Sequence, residues 1–436
     1  MSYDKTLKIG VAGLGTVGAH VCKILIENRD LISKRAGADI VLHAVSSRDK
    51  TKDRGFDSEG LVWVDNAVAL ADIAELDIII EAIGGEEGIA LDLAKASLSN
   101  KISFVTANKA MIAHHGDMLV NLAEENNVSL AFEAAVAGGI PILKTLREGL
   151  SANQISAVYG ILNGTCNYIL TEMTQTGRDF EDVLKEAQDL GYAETDPSFD
   201  VDGVDAAHKL SILSALAFAG TPDFENVSLK GIRDITALDI DAAQELGYRI
   251  KLLGMAKKTE RGVEQSVEPC LVPLSEPIAT IEGSLNAVYV EGDFVGESLS
   301  VGHGAGGGPT ASAVVADIID ISRGHVIHPF SMMADTLSPL SIADISQRKG
   351  AYYIRLVVLD QPGVIADIAA ILRDCDVSLQ SVLQHGHNPD QPVTVILTTH
   401  PSFEANMQKA LHQIHDIEAV VETPYQLRIE DFKTAI

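Results

Sequence analysis

Short apolar runs alternate with helical patterns through the first third of the chain. LKIGVAG, DIVLHAVSS, LDIIIEAIG and ISFVTAN have the length and aliphatic content of strands. Between them, apolar residues recur at the spacing of a one-faced helix, first at Val21, Ile24 and Leu25, then over 90–98 and 111–124. Strands alternating with helices predict an α/β fold, a parallel, doubly wound Rossmann-type sheet. LAFEAAVAGGIPIL, a further apolar run, closes this first domain (1–135).

The pattern changes from Pro141 onward. Helical patterns over 180–190, 205–219 and 242–252 mix with alternating strands at ISAVYGIL, SVEPCLVPL and NAVYVEG, which predicts an α+β substrate domain over 136–330. Its last helix, near 310–323, is apolar and is expected to return to the first domain. Residues 331–350, rich in Ser, Asp and Pro, read as a linker. The tail, 351–436, runs strand (YYIRLVVLD), helix (PGVIADIAAILRDC), strand (DVSLQSVLQHG), strand (QPVTVILTTH), helix (FEANMQKALHQIHD) and strand (AVVETPYQLRIE). That βαββαβ order is the ferredoxin-like arrangement.

At 436 residues the chain exceeds one ordinary core, in keeping with two or three domains. Its net charge of −28, from 33 basic and 61 acidic residues, argues against nucleic acid or an anionic membrane as a partner. No stretch approaches the roughly 20 apolar residues of a membrane span. MSYDKTLKIGVAG enters a strand almost at once, without a secretory apolar region. Cys22, Cys166, Cys270 and Cys375 have neither pairing nor metal-ligand spacing, which fits reduced core thiols of a cytoplasmic protein.

Gly13-Leu14-Gly15-Thr16-Val17-Gly18 follows the first strand and opens a helix, the context a dinucleotide fingerprint requires. Gly13 permits the tight turn, Gly15 lets backbone approach the pyrophosphate, and Gly18 lets helix and strand pack closely. The helix N-terminus offers N–H groups to the phosphates. Where an NAD enzyme carries an acidic residue after its second strand, this chain has Ser46-Ser47-Arg48. An arginine there suits a 2′-phosphate and points to NADP, with NAD possible; the competing reading is an ordinary loop arginine. Thr106-Ala107-Asn108-Lys109 ends another strand at the carboxyl edge of the sheet, where ligands of such folds bind. Lys109 is there either to hold an anionic group or as a solvated helix-start lysine.

AQDLGYAETDPSFDVDGVDAAHK, residues 187–209, gathers Glu194, Asp196, Asp200, Asp202, Asp205 and Lys209. Asp205 and Lys209 share one helix face, one turn apart. The helix continues as LSILSALAFAG, apolar nearly all round and therefore buried. Charges leading into a buried helix are costly to desolvate unless something polar is bound there. The competing reading is an i,i+4 surface ion pair.

Ala187, Gly191, Tyr192, Asp196, Pro197, Asp200, Gly203, Asp205 and Lys209 resemble, in type and spacing, the signature of homoserine dehydrogenases. Residues 106–109 are similar to that family's TANK segment. ILNGTCNY (161–168) resembles its ILNGTTNYIL, with Cys166 at the usual threonine and Asn163 and Thr165 as secondary candidates. GHGAGGGPT (302–310) is either a second approach of backbone to the nucleotide, including Gly306, or a flexible turn; the resemblance implies the former. His208 and His303 are assigned no role. DQPGVIADIA in the tail resembles the ACT regulatory module.

The resemblance implies a monofunctional homoserine dehydrogenase, since no aspartate-kinase region fits before Gly13. Such enzymes reversibly reduce L-aspartate 4-semialdehyde to L-homoserine with NAD(P)H, in threonine, methionine and isoleucine biosynthesis. Hydride addition to an aldehyde leaves an alkoxide, so Lys209 is the expected proton donor and Lys109 its supporting cation. Glu194, Asp205, Asp200 and Lys109 are expected on the substrate. Gly13 to Gly18, Arg48, Thr106, Lys109, Gly191 and Gly306 are expected on the cofactor. A monovalent cation such as Na+ is implied at backbone oxygens of Glu133, Val136, Gly138 and Ile140. A homodimer or homotetramer with L-threonine at the ACT domain completes the expectation, the competing reading of the tail being a dimerisation domain with no ligand. The alternatives are an inactive nucleotide or amino-acid sensor, which Lys109, Glu194, Asp205 and Lys209 disfavour, and a dehydrogenase of another small amino aldehyde.

Overall fold

The isoleucine-rich run before Glu81 forms a strand buried along its whole length, as the interior of a parallel sheet demands. The computed structural model in which this is seen describes residues 3, 5–325, 327–384 and 392–432. His385, Gly386 and Gln391 of the expected tail strands lie outside the described residues, as do residues 1, 2, 4, 326 and 433–436 of the expected domains. Strands β1 (Thr6–Ala12), β2 (Asp39–Ser46), β3 (Val62–Val64), β4 (Ile78–Glu81), β5 (Ser103–Thr106) and β6 (Leu130–Ala131) lie in the order β3-β2-β1-β4-β5-β6. All neighbours are parallel. This is the doubly wound order, with its switch point between β1 and β4. Helices α1 (Thr16–Glu27), α2 (Arg29–Ala36), α3 (Ile89–Ser99) and α4 (Lys109–Glu125) connect the strands.

The chain forms two compact units, one of residues 1–164, 205–227 and 284–340, the other of 165–204, 228–283 and 341–436. Besides the parallel sheet, the first contains α5 (Ile142–Lys144), β7 (Ile155–Ile161), α9 (Val204–Phe218), β11 (Leu285–Gly292), β12 (Gly296–His303) and α11 (Gly307–Ser322). β11 pairs antiparallel with β7 and with β12. α11 joins one apolar cluster with α1, setting Ala311, Val314 and Ile318 with Val21, Cys22 and Leu25. Gly307 allows that approach, since a Cβ there would lie 2.4 Å from the His20 ring.

The second unit contains α6 (Gly164–Thr176), α7 (Phe180–Asp189), α8 (Ser198–Val201), β8 (Ser228–Leu229), α10 (Ala237–Glu245), β9 (Tyr248–Thr259) and β10 (Gly262–Pro273). The helix expected over 242–252 is a correction. α10 starts at a capping box between Thr236 and Asp239 and ends at Glu245. Gly247 then takes a left-handed φ of 86°. From Tyr248 the chain pairs residue by residue with β10. Residues 250–256 are buried on both faces, Lys251 among them, so the short alternation over 249–252 does not continue along the strand.

The tail supplies β13 (Lys349–Leu359), α12 (Val364–Asp374), β14 (Leu379–Gln384), β15 (Pro392–Thr399), β16 (Ser402–Phe403), α13 (Glu404–His415) and β17 (Tyr425–Ile429). Its main strands lie in the order β17-β13-β15-β14 over an apolar core that includes Ile354, Ile368, Val395 and Met407. The tail sheet does not stand apart. β17 pairs parallel with β10, Cys270 opposite Arg428, so the tail groups with 165–204 and 228–283. Nor is 331–350 structureless, for it holds short helical turns at Ala334–Thr336 and Ile345–Gln347. The amide of Val263 donates to the Ser341 carbonyl at 2.7 Å.

All four cysteines are buried and unbridged. Among the described residues no helix is long and apolar enough to cross a membrane.

Candidate active site

The fingerprint glycines separate into distinct tasks. Gly13 has a φ of 88°, and a Cβ there would lie 2.6 Å from the Ala82 carbonyl oxygen. A Cβ on Gly18 would lie 1.8 Å from the Gly13 carbonyl oxygen, so only glycine fits under α1. Gly15, the N-cap of α1, has nothing within 4 Å of where its Cβ would be. Gly15 and Thr16, both exposed, open the helix N-terminus, a fit for the pyrophosphate of a dinucleotide, while Leu14 is buried and Val17 partly so.

Arg48 stands exposed just beyond β2. A second arginine was not legible in the motif. Arg54 donates through Nε to the Leu14 carbonyl at 3.2 Å and through Nη2 to the Ser47 hydroxyl at 2.8 Å. It thereby braces the fingerprint turn against the end of β2.

Lys109 is positioned by the residues before it. Glu81, fully buried at the end of β4, accepts from the amides of Ile83 at 2.6 Å and Gly84 at 2.8 Å. It also accepts the Thr106 hydroxyl proton at 2.5 Å. The hydroxyl of Thr106 is thus occupied, and contact with a cofactor would fall to its backbone. The Asn108 amide donates to Thr106 Oγ1 at 2.9 Å, and its side-chain oxygen caps α4 at the Met111 amide, 3.1 Å away. Lys109 follows as the first residue of the helix.

Its ammonium group meets Asp205 Oδ1 at 2.9 Å. Lys209 Nζ meets Oδ2 of the same carboxylate at 2.7 Å and donates to the Leu162 carbonyl, also at 2.7 Å. Asn163 Nδ2 donates to Asp205 Oδ2 at 2.9 Å. Asp205 and Lys209 are 5% and 8% exposed, so this is not the surface ion pair that spacing alone allowed. Burial works against the charge on Asp205, but Lys209 and Lys109 outweigh it and hold the carboxyl well below its usual range.

A carboxyl depressed in the folded state stabilises the fold fully above its unfolded value of 3.8 and loses that contribution as pH falls through the lower folded value. Asp205→Asn lacks that titration. Urea unfolding of wild type and variant should therefore differ most at about pH 7, the gap narrowing steadily below about pH 4. A gap that stays constant down to about pH 2 would remove Asp205's linkage.

The remaining acidic residues of 187–209 belong to the second unit. Asp196 caps a turn through the Ser198 amide at 3.1 Å, and Asp202 pairs with Arg233 at 2.5 Å. Gly191, with a φ of 77°, the exposed Glu194 and Asp200 belong to the second unit. There Cys166 Sγ donates to the Asp200 carbonyl at 3.2 Å, and the Thr165 hydroxyl to the Tyr192 carbonyl at 2.7 Å. Asn167 accepts from Lys251 at 2.9 Å. Gly306, φ 114°, is the N-cap of α11 in the first unit.

The turn from Glu133 to Ile140 is narrow. A Cβ on Gly138 would lie 2.9 Å from Thr310 Oγ1, and one on Gly139 2.4 Å from the His303 carbonyl oxygen. The Glu133 carboxylate accepts from the amides of Leu143 at 3.0 Å and Lys144 at 2.9 Å, and burial, with Asp317 beside it, raises it to about 7. Its side chain is thus engaged, and the carbonyls of Glu133, Val136, Gly138 and Ile140 remain candidate donors for a cation, each carbonyl oxygen having two lone pairs. The Ile140 carbonyl already accepts from the Ile142 amide at 2.7 Å.

Known proteins match this arrangement along nearly the whole chain. Residues 13–133 match the family model described as the homoserine dehydrogenase NAD-binding domain, and 141–319 match the homoserine dehydrogenase model. A homoserine dehydrogenase of Neisseria gonorrhoeae is 41% identical over 98% of this chain and 99% of its own. A crystal structure of a homoserine dehydrogenase from Thiobacillus denitrificans superposes with a TM-score of 0.92 at 44% identity, over 98% of this chain and 99% of that one. A hyperthermophilic archaeal homoserine dehydrogenase in complex with NADPH aligns with a TM-score of 0.64 at 28% identity, over 74% of this chain and 99% of that one. The chain belongs to the homoserine dehydrogenase family and is an NAD(P)-dependent oxidoreductase.

Proposed function

We propose that Lys209 delivers the proton, and Lys109 a fixed positive charge, when L-aspartate 4-semialdehyde is reduced to L-homoserine. The nicotinamide supplies the hydride when the cofactor is bound. Negative charge then grows on the former carbonyl oxygen, where an ammonium group in hydrogen-bond reach stabilises and protonates it. The observation that carries this reading is one buried carboxylate, Asp205, gripped by two ammonium groups. Two cations on one anion leave an excess positive charge for the developing oxyanion. The Leu162 carbonyl and Asn163 fix the orientation of Lys209 and Asp205. By family resemblance, Glu194 and Asp200 are assigned to the substrate's ammonium group, and Gly191 and Gly306 to the cofactor. Steady-state oxidation of L-homoserine with NADP and with NAD tests the proposal; no turnover with either would refute it.

Arg48 is proposed to grip the 2′-phosphate of NADP. Charge-assisted hydrogen bonds contribute about 1.5–3 kcal/mol, so Arg48→Ala should raise KM for NADP roughly tenfold or more and leave NAD nearly untouched. Arg54→Ala should weaken both cofactors, because Arg54 holds the Leu14 turn that either would use. Equal losses in the Arg48 variant would make it a supporting residue instead.

The carbonyls of the 133–140 turn are proposed to hold a monovalent cation. The tail is proposed to act as an ACT domain that binds L-threonine and inhibits the enzyme. Gly363, at the N-cap of α12 with a φ of 97°, has nothing within 4 Å of where its Cβ would lie, leaving the first amides of the helix approachable by a carboxylate. Threonine titrated into the full-length enzyme should lower its rate; a rate unchanged at millimolar threonine removes that effector. Removing the tail outright would be a poor control, since it strips β17 from β10. A cytoplasmic homodimer or homotetramer, with its cysteines reduced, completes the reading.

A further inference from the structure

We propose that Glu86, His114 and His208 form a binding site for a divalent transition ion of the Zn2+ type. His114 Nε2 lies 3.3 Å from Glu86 Oε2 and 3.3 Å from His208 Nε2, and the three donor atoms all lie within 4.8 Å of one another. Both distances are long for a hydrogen bond, whose N–H···O form centres near about 2.9–3.0 Å. They match another geometry. An ion bound tetrahedrally at about 2.0–2.1 Å sets its ligand atoms about 3.3–3.4 Å apart, and two of the three edges here already have that length.

Packing helps to orient the rings. His208 stacks on Phe224, with centroids 4.2 Å apart and planes 16° from parallel. His114 meets Phe224 edge-on at 5.0 Å and His208 edge-on at 5.3 Å. The Glu86–His208 edge is the one a bound ion would draw in, and Glu86 is exposed on its loop. Burial, with His114 and Lys109 nearby, pushes His208 down to about 4, which keeps its ring in the neutral form that coordinates. His208 is buried, whereas Glu86 and His114 reach solvent, so an ion has an entry path and a water can take the fourth position. Two imidazoles and one carboxylate suit zinc-like ions; Mg2+ and Ca2+ favour all-oxygen shells.

The site would join elements that are otherwise linked only lightly. Glu86 lies in the loop between β4 and α3, where Gly84, Gly85 and Gly88 all have positive φ. That loop is fastened to the start of α4 by Asn108 Nδ2 donating to the Gly85 carbonyl at 2.6 Å. A bound ion would add ties from the loop to the second turn of α4 and to α9 beside Lys209. It would stiffen the edge of the active site without occupying it.

The test uses the full-length protein stripped with EDTA, titrated with ZnCl2 by calorimetry and with CoCl2 by visible absorption. The expected result is one ion per chain, an intense tetrahedral Co2+ band, and a raised melting temperature. His114→Ala should lose the band and weaken Zn2+ at least about tenfold. His115→Ala, whose ring pairs with Glu87 at 3.1 Å, should change neither and serves as the control for adventitious histidine binding. Should His114→Ala fail to fold, Glu86→Gln on the exposed loop replaces it, with the same expected loss. Absence of a one-to-one Zn2+ complex in the wild type, or equal affinity in the folded variant, would overturn the site.

Discussion

Lys209→Ala should lower kcat for homoserine oxidation by about 10²–10⁴-fold, the usual range for a general acid or base. The loss belongs to kcat because proton transfer occurs only in the transition state, whereas the NADP dissociation constant reports binding to the fingerprint. The variant is expected to fold. Asp205 keeps an ionic partner in Lys109 at 2.9 Å and a donor in Asn163 at 2.9 Å, so no buried charge is left alone. Lys209→Met, which retains most of the volume, separates chemistry from packing and should be as inactive as the alanine variant. Near-full turnover in either variant, measured alongside an unchanged thermal melt, would remove Lys209 from the mechanism. Lys109→Ala should cost less in kcat, since it removes a charge but not the proton.

What could be read from residue order was whatever rests on local spacing. The parallel sheet follows from apolar runs such as Ile78–Glu81, and the fingerprint from glycines at 13, 15 and 18, of which Gly13 and Gly18 have neighbours that leave no room for a Cβ. The Asp205–Lys209 pair is one helical turn, so its existence was legible and its burial followed from the apolar helix beyond it. Contacts closed by the fold were not legible. Asn163 reaches Asp205 across 42 positions, and His208 faces His114 across 94. Arg54 carries no motif; it acts because a loop returns it to Leu14. The helix expected over 242–252 failed for a different reason. Its window spans three things at once, the end of α10 at Glu245, the left-handed Gly247 and the start of β9 at Tyr248, and the alternation Arg249-Ile250-Lys251-Leu252 is too short to outweigh the helical pattern before it. The tail's order was legible, but its union with β10 depends on a parallel register between distant segments, Cys270 with Arg428, which no local pattern encodes.

The largest stability loss is expected at Asp239, deep in the second unit. Its carboxylate is fully buried and accepts from the Thr236 amide and hydroxyl, each at 2.9 Å, and from the Tyr353 hydroxyl at 2.8 Å. Arg355 forms an ion pair with the same group. One side chain therefore caps α10 and, through Tyr353 and Arg355, fastens β13 of the tail to it. Asp239→Ala removes the capping box, strands the hydroxyl of the buried Tyr353, and leaves the largely buried Arg355 without its anion. Breaking a buried pair from one side costs about 3–5 kcal/mol, more than the roughly 1 kcal/mol of a lost cap. Against a typical total of about 5–15 kcal/mol, that is a large fraction, and urea unfolding should shift by a matching amount. Removing the orphaned charge as well, in Asp239→Ala with Arg355→Met, should recover part of the loss, because an apolar pair has no desolvation debt to offset. If the single variant unfolds within about 1 kcal/mol of wild type, the tail is held by its strand pairing with β10, and Asp239 is only a helix cap.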